Sequence, residues 1–229
     1  KKGFSSFSLD KERMTGEFTV KDSLWYNFSL KNNTCDLVFD RKEIVIPAGM
    51  ELVRASLSSS QKFLTMELRP YQEKVNKDKK EEEIKPDKSF ELELWTWDEY
   101  EVPTLQTRSR YSHPQYSKYI YDITSQKLTE VAPGHADLLE PDRAEEIHYV
   151  LYTDETPYRM QKEWLNEVPF DIYSVNVHTG KKQLVGRSYR TRPRWSVNGK
   201  WAVMYDPVAQ VWNKFDGKTG EVTDISTAI

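Results

Sequence analysis

Two short stretches of this 229-residue chain hold the residues best suited to gripping a charged ligand. In YRMQKEWLNE (158–167), Glu163 and Glu167 stand four apart, so on a helix they share one face. Two carboxylates in a partly desolvated pocket bind an ammonium group better than one does. Tyr158, Arg159 and Trp164 complete the candidate substrate-binding set of this stretch. Its plainer reading is a surface helical turn anchored by Trp164. In RSYRTRPRW (187–195), Arg190, Arg192 and Arg194 share parity on an extended chain and would face one side. Guanidinium groups so placed receive a carboxylate or another anion, or else pair with carboxylates of a neighbouring sheet.

Other chemistries lack their residues. His113, His135, His148 and His178 are scattered, with no HxH or HExxH spacing and no cysteine partner, so no metal site is expected. The single cysteine, Cys35, excludes an internal disulfide and a CxxC motif. None of the 9 glycines falls in a GxSxG nucleophile elbow, and no alternation of strands and helices could build a hydrolase sheet. No catalytic residue and no cofactor is therefore assigned. A net charge of -3 and a pI near 5.9 argue against nucleic acid as a partner. No apolar run reaches the length of a membrane span, and the opening KKGFSSFSLD has no apolar signal core.

The elements that must position these residues are strands. An aromatic share of 13% is too rich for a disordered chain, while 30% charged residues suits many small, half-exposed sheets. Four segments repeat one hairpin: LWYNFSLKNNTCDLV (24–38), SKYIYDITSQKLTEV (117–131), FDIYSVNVHTGKKQLV (170–185) and QVWNKFDGKTGEVTDI (210–225). Asn32-Asn33, Ser125-Gln126, Thr179-Gly180 and Thr219-Gly220 occupy equivalent turn positions, where Asn and Gly accept positive φ. A second strand pair precedes each hairpin, giving four strands per unit, the content of one propeller blade. The expected fold is all-β: one β-propeller region over 1–229, with four consecutive four-stranded blades near 3–40, 46–133, 134–187 and 188–226. It reads as a fragment of a seven- or eight-bladed ring, the competing fold being a sandwich or an irregular all-β arrangement. A charged insertion (71–89) reads as an exposed loop, since Glu81 to Glu83 follow Lys77, Lys79 and Lys80. A second insertion (154–169) could form a short helix and occupies a place where propellers carry recognition loops. Trp25, Trp95, Trp97, Trp201 and Trp212 are expected to pack between blades.

The tail SVNGKWAVMYDPVAQVWNKFDGKTGEVTDIS (196–226) resembles the SPDGK-type blades of the prolyl oligopeptidase family of serine peptidases, which includes dipeptidyl peptidase IV, and of TolB-like propellers. ELWTWDEYEVPTLQ (93–106), with its Trp95, Trp97, Asp98 and Gln106, is similar to a bacterial branch of large secreted members. The resemblance covers nearly the whole chain and is closest over 90–226. It implies a noncatalytic propeller that gates or binds peptide substrate for a hydrolase domain outside this chain, in a periplasmic or secreted protein. Dipeptidyl peptidase IV-like members hold the substrate's amino terminus with paired carboxylates on a propeller insertion. The resemblance implies that role for Glu163 and Glu167 in outline only, because the family's adjacent Glu-Glu pair is missing from 154–169. The alternative is a stand-alone TolB-like propeller that binds a protein partner. A carbohydrate-acting propeller is disfavoured, since no carboxylates cluster on aligned loops.

Overall fold

The computed structural model describes residues 4–10, 15–20, 24–29, 34–40, 44–58, 60, 62–71, 116–141 and 144–226. The first sheet comprises β1 (Phe4–Asp10), β2 (Thr15–Val20), β3 (Leu24–Ser29) and β4 (Thr34–Asp40). The second comprises β5 (Met50–Leu57), β6 (Phe63–Pro70), β7 (Ser117–Asp122) and β8 (Lys127–Ala132). In the third are β9 (Asp137–Leu139), β10 (Tyr149–Asp154), β11 (Phe170–Asn176) and β12 (Lys182–Tyr189). The fourth holds β13 (Arg194–Trp195), β14 (Trp201–Asp206), β15 (Val211–Asp216) and β16 (Val222–Asp224). Within each sheet the strand order follows the chain, so every sheet is an antiparallel meander, as a propeller blade is.

Turn chemistry makes the hairpins. Asp122 Oδ1 accepts the N–H groups of Thr124 and Ser125, and Asn176 Oδ1 those of His178 and Thr179. Asp206 and Asp216 do the same for Val208 and Ala209, and for Lys218 and Thr219. Such side chains fold the backbone over themselves two and three residues on. Four residues after each of these caps the chain enters the left-handed region, at Gln126 (φ 54°), Gly180 (74°), Gln210 (58°) and Gly220 (77°). The expected turn positions at 125–126, 179–180 and 219–220 thus hold; Asn32-Asn33 lies outside the described residues.

Alternation then divides the core. In β6, Leu64, Met66 and Leu68 pack on one face with Ile44 and Tyr121, while Phe63 turns to the other. In β10, Val150 and Tyr152 join Phe63, Ile120 and Val131 of the second sheet. Tyr149 and Leu151 join Ala202, Met204 and Phe215 of the fourth. β11 splits likewise, Tyr173 and Val175 towards the second sheet and Phe170 and Ile172 towards the fourth. The two middle strands of the third sheet, β10 and β11, are therefore buried on both faces, whereas β12 at its edge is largely open to solvent.

The aromatic packing between sheets differs from expectation. Phe215 is its centre, met edge-on by Tyr149 at 6.0 Å and by Trp195 at 5.8 Å. Trp201 and Trp212 are 41% and 47% exposed, because their register places them on the face of the fourth sheet turned away from the third. Trp95, Trp97 and the side chain of Trp25 lie outside the described residues, as does the charged insertion beyond Tyr71.

Leu151→Ala, on the doubly covered strand β10, is expected to lower the unfolding free energy by about 2–5 kcal/mol in urea denaturation. Val208→Ala, at a position 80% exposed, is expected to change it by less than about 0.5 kcal/mol.

Candidate functional site

Strand direction brings the two chemistry-bearing stretches to one rim. β10 runs into the 155–169 connection, β11 leaves it, and β12 returns to the same end, where the linker 190–193 begins. Phe170 pairs with Tyr189 across that end. The turns at 177–181 and 217–221 and the loops at 140–148 and 196–200 lie at the opposite end.

The connection folds as a 3-10 helix, Thr156–Glu163, opened by Pro157, whose fixed φ suits a first turn. Its anchor is the buried Asp171 on β11. The Tyr158 hydroxyl donates to Asp171 Oδ1 at 2.6 Å, and the Ser188 amide donates to the same oxygen at 3.1 Å. Burial first, and then the Asp171 carboxylate, push the Tyr158 phenol pKa up. Ser188 sits at φ 57°, a left-handed conformation that costs a non-glycine residue about 1 kcal/mol or more and persists only where neighbours enforce it. Tyr189 next to it is buried over Gly186, where an added Cβ would stand 2.3 Å from the ring.

At the start of the connection, Asp154 Oδ1 accepts the Thr156 amide at 2.8 Å and lies 3.5 Å from His135 Nε2. Burial alone would raise the Asp154 pKa, but the Thr156 hydrogen bonds and His135 outweigh it and hold the carboxyl below its ordinary value.

Two expectations about this rim are corrected. Glu163 and Glu167 do not share a helix face: the helix ends at Glu163, with the Trp164 and Leu165 amides both donating to the Gln161 carbonyl. Pro169 disfavours helix at Val168, so the chain is extended again before Phe170. The Glu163 side chain lies outside the described residues; Glu167 is exposed, and Trp164 is 71% exposed. Arg159 is half-buried on the helix.

The arginines, likewise, do not alternate along one strand. Pro193 has no N–H for the ladder, so β13 begins only at Arg194 and leaves Arg190 and Arg192 in the linker. Arg192 Nη2 meets Asp137 Oδ2 of β9 at 2.5 Å, tying the linker to the third sheet. Arg190 is exposed on the rim with the helix. Arg194, opposite Val203, is on the outward face of the fourth sheet.

At the opposite end a cleft of about 430 Å³ is lined by Glu145, Glu146, His148, Asn198, Gly199, Lys200, Gly217 and Lys218. Its carboxylates come from the β9–β10 loop and its ammonium groups from two turns of the fourth sheet, so opposite charges face each other. No spacing in the sequence announces this cleft, because its walls join loops of two different sheets. Among the described residues no group of three or more His, Cys, Asp or Glu side chains is disposed to hold a metal ion. No helix among them is long and apolar enough to cross a membrane.

No family model and no curated protein matches the sequence. Solved structures similar along nearly the whole chain include an oligogalacturonate lyase in complex with manganese, at 13% identity and TM-score 0.44, covering 97% of this chain and 53% of that one. TolB from Acinetobacter baumannii matches at 11% identity and TM-score 0.34, over 97% of this chain and 43% of its own. Acylaminoacyl peptidase from Pyrococcus horikoshii matches at 11% identity and TM-score 0.40, over 99% and 32%. The chain thus spans about half the length of the first and less of the others. The fold assignment rests on the four meanders themselves.

The Asp154 contribution has a definite pH window. A carboxyl held below its ordinary value of 3.8 adds stability that is complete above that value and is lost as pH falls through the lower folded pKa. The protection of the amides over 154–163, measured against their intrinsic exchange rate at each pH, is expected to fall on acidification below about pH 4, and Asp154→Asn is expected to abolish that step. Tyr158→Phe removes a hydrogen bond to a buried carboxylate, a loss of about 1–3 kcal/mol, read as faster limited proteolysis between residues 155 and 169.

Proposed function

We propose that this chain is a noncatalytic β-propeller region of a prolyl oligopeptidase or dipeptidyl peptidase IV-like serine peptidase. In this reading its four sheets are consecutive blades of a seven- or eight-bladed ring in a periplasmic or secreted protein. The propeller gates or binds peptide substrate for a hydrolase domain carried outside residues 1–229.

The observation that carries the reading is the rim. A short helix, held by the Tyr158–Asp171 hydrogen bond, displays Met160 and Trp164 to solvent at the end of the sheets that also bears exposed Arg190. Exposed apolar side chains beside a cation and the Glu167 carboxylate offer a peptide what it needs: apolar contact along the chain and an ion pair for either terminus. The lack of a nucleophile elbow in the sequence supports a role without catalysis.

Fluorescence polarisation with a labelled, proline-containing short peptide tests it. The chain is expected to bind the peptide saturably, and Trp164→Ala and Arg190→Ala to weaken binding about tenfold each, roughly 1.4 kcal/mol. A dipeptide amide is expected to stay uncleaved. Serine-reagent-sensitive cleavage, or affinities untouched by both substitutions, would end this reading. Binding of a folded protein but of no peptide would replace it with a TolB-like interaction module.

A further inference from the structure

The cleft at the end of the sheets away from the helix has walls of opposite charge, one from the third sheet and one from the fourth. On the third-sheet side, Ala144 and Ile147 are buried in the core shared with the second sheet and anchor the loop there. Between them, Glu145 and Glu146 stand side by side in solvent. Glu146 Oε2 lies 3.5 Å from His148 Nε2, and the His148 ring meets that of His178 edge-on at 5.5 Å.

The opposite wall is built where two turns meet. The Gly217 amide donates to the Lys200 carbonyl at 2.9 Å, so Lys200 and Lys218 leave the backbone one residue apart across that contact. Each turn is fixed by its own side chain: Asn198 Oδ1 accepts the Lys200 amide at 3.2 Å, and Asp216 Oδ1 accepts those of Lys218 and Thr219 at 2.9 Å. This approach needs glycine at two positions. A Cβ on Gly217 would stand 2.3 Å from the Gly199 carbonyl oxygen, and one on Gly199 would stand 2.7 Å from Ala144 Cβ. The second contact also joins the two walls, since Ala144 precedes Glu145 and Gly199 precedes Lys200. The cleft of about 430 Å³ is therefore preformed rather than a gap between free loops.

Its charges are not consumed by one another. Among the described residues no ion pair joins Glu145 or Glu146 to Lys200 or Lys218, although all four line the same space. Like charges held side by side repel, and an ion of opposite sign stabilises them. A simple cation would meet the lysines, however, and a simple anion the glutamates. A molecule with an ammonium group at one end and a carboxylate at the other satisfies both walls through charge-assisted hydrogen bonds. The volume lies within the range of roughly 300–1,000 Å³ typical of small-molecule sites.

We propose that this cleft binds a small zwitterion, an α-amino acid or a dipeptide with both termini free. Its ammonium group is held by Glu145 and Glu146 and its carboxylate by Lys200 and Lys218. The site is separate from the rim that carries the helix and does not rest on the reading given for it.

Isothermal titration calorimetry on the 229-residue chain tests the proposal with alanine and Ala-Ala, each compared with its N-acetyl and its amide derivative, which lack one charge. Saturable binding of alanine or Ala-Ala with a Kd of about 1 mM or tighter is expected, and the tighter of the two identifies the source of the zwitterion. Blocking either terminus is expected to weaken binding about tenfold or more. Replacing both glutamates by glutamine, or both lysines by glutamine, is expected to do the same, with Tm moved by less than about 2 °C because all four residues are exposed. Absence of binding by both zwitterions overturns the proposal, as does equal affinity for free and blocked ligands, a comparison that needs no variant. Binding weakened by Trp164→Ala but by neither double substitution also overturns it, by assigning the ligand to the rim.

Discussion

Burial of the middle strands of the third sheet on both faces is the constraint on which the described architecture depends. Val150, Leu151, Tyr152 and Thr153 are consecutive and all buried, two facing the second sheet or its loops and two facing the fourth. A strand in that position has no solvent side on which to place charge, so its neighbours must be aligned sheets rather than water. The polar residues that do enter are partnered: Asp171 accepts from Tyr158 and Ser188, and the Ser174 hydroxyl reaches the Gln183 carbonyl. Among the described residues no buried side-chain nitrogen or oxygen is left without a hydrogen bond, as the expense of burying an unpaired polar group requires.

That rigidity lets irregular segments carry chemistry. Asp171 belongs to a core strand, yet its carboxylate fixes a helix outside the sheet and a left-handed serine on the next strand. The helix therefore displays Met160 and Trp164 from a platform held by the core rather than from a free loop. Arg192 is paired with Asp137, which fastens the linker between the third and fourth sheets, while Arg190 is exposed at the end of the sheets that carries the helix. The two ends of the sheets differ accordingly: one presents apolar side chains and a cation, the other a cleft whose carboxylates and ammonium groups face each other.

Much of the fold was legible in the sequence because it is written locally. A period of two in SKYIYD or FDIYSVN marks strands, and an Asp or Asn four residues before a Gly or Gln marks the turn that joins them. The candidate site was legible only as two stretches. Tyr158 was named from residue type and Arg190 from strand parity, and nothing in their spacing revealed Asp171 as the anchor of Tyr158, because that contact spans 13 residues and depends on the path of the insertion. Helical spacing suggested a shared face for Glu163 and Glu167, but the helix ends at Glu163, and strand parity suggested a shared face for arginines that Pro193 breaks.

By itself, then, the sequence determined an all-β chain of repeated hairpins with its turns in place, since alternation and left-handed φ are properties of a few neighbouring residues. Only the tertiary structure decided which face of each strand met which sheet. Phe215 became the buried centre between two sheets while Trp201 and Trp212 were left outward, although all three are aromatics on adjacent strands. Likewise Arg192 found Asp137 across 55 residues. Such outcomes depend on where distant segments come to rest, and the pleat alone, which distinguishes two faces but not their neighbours, does not contain that information.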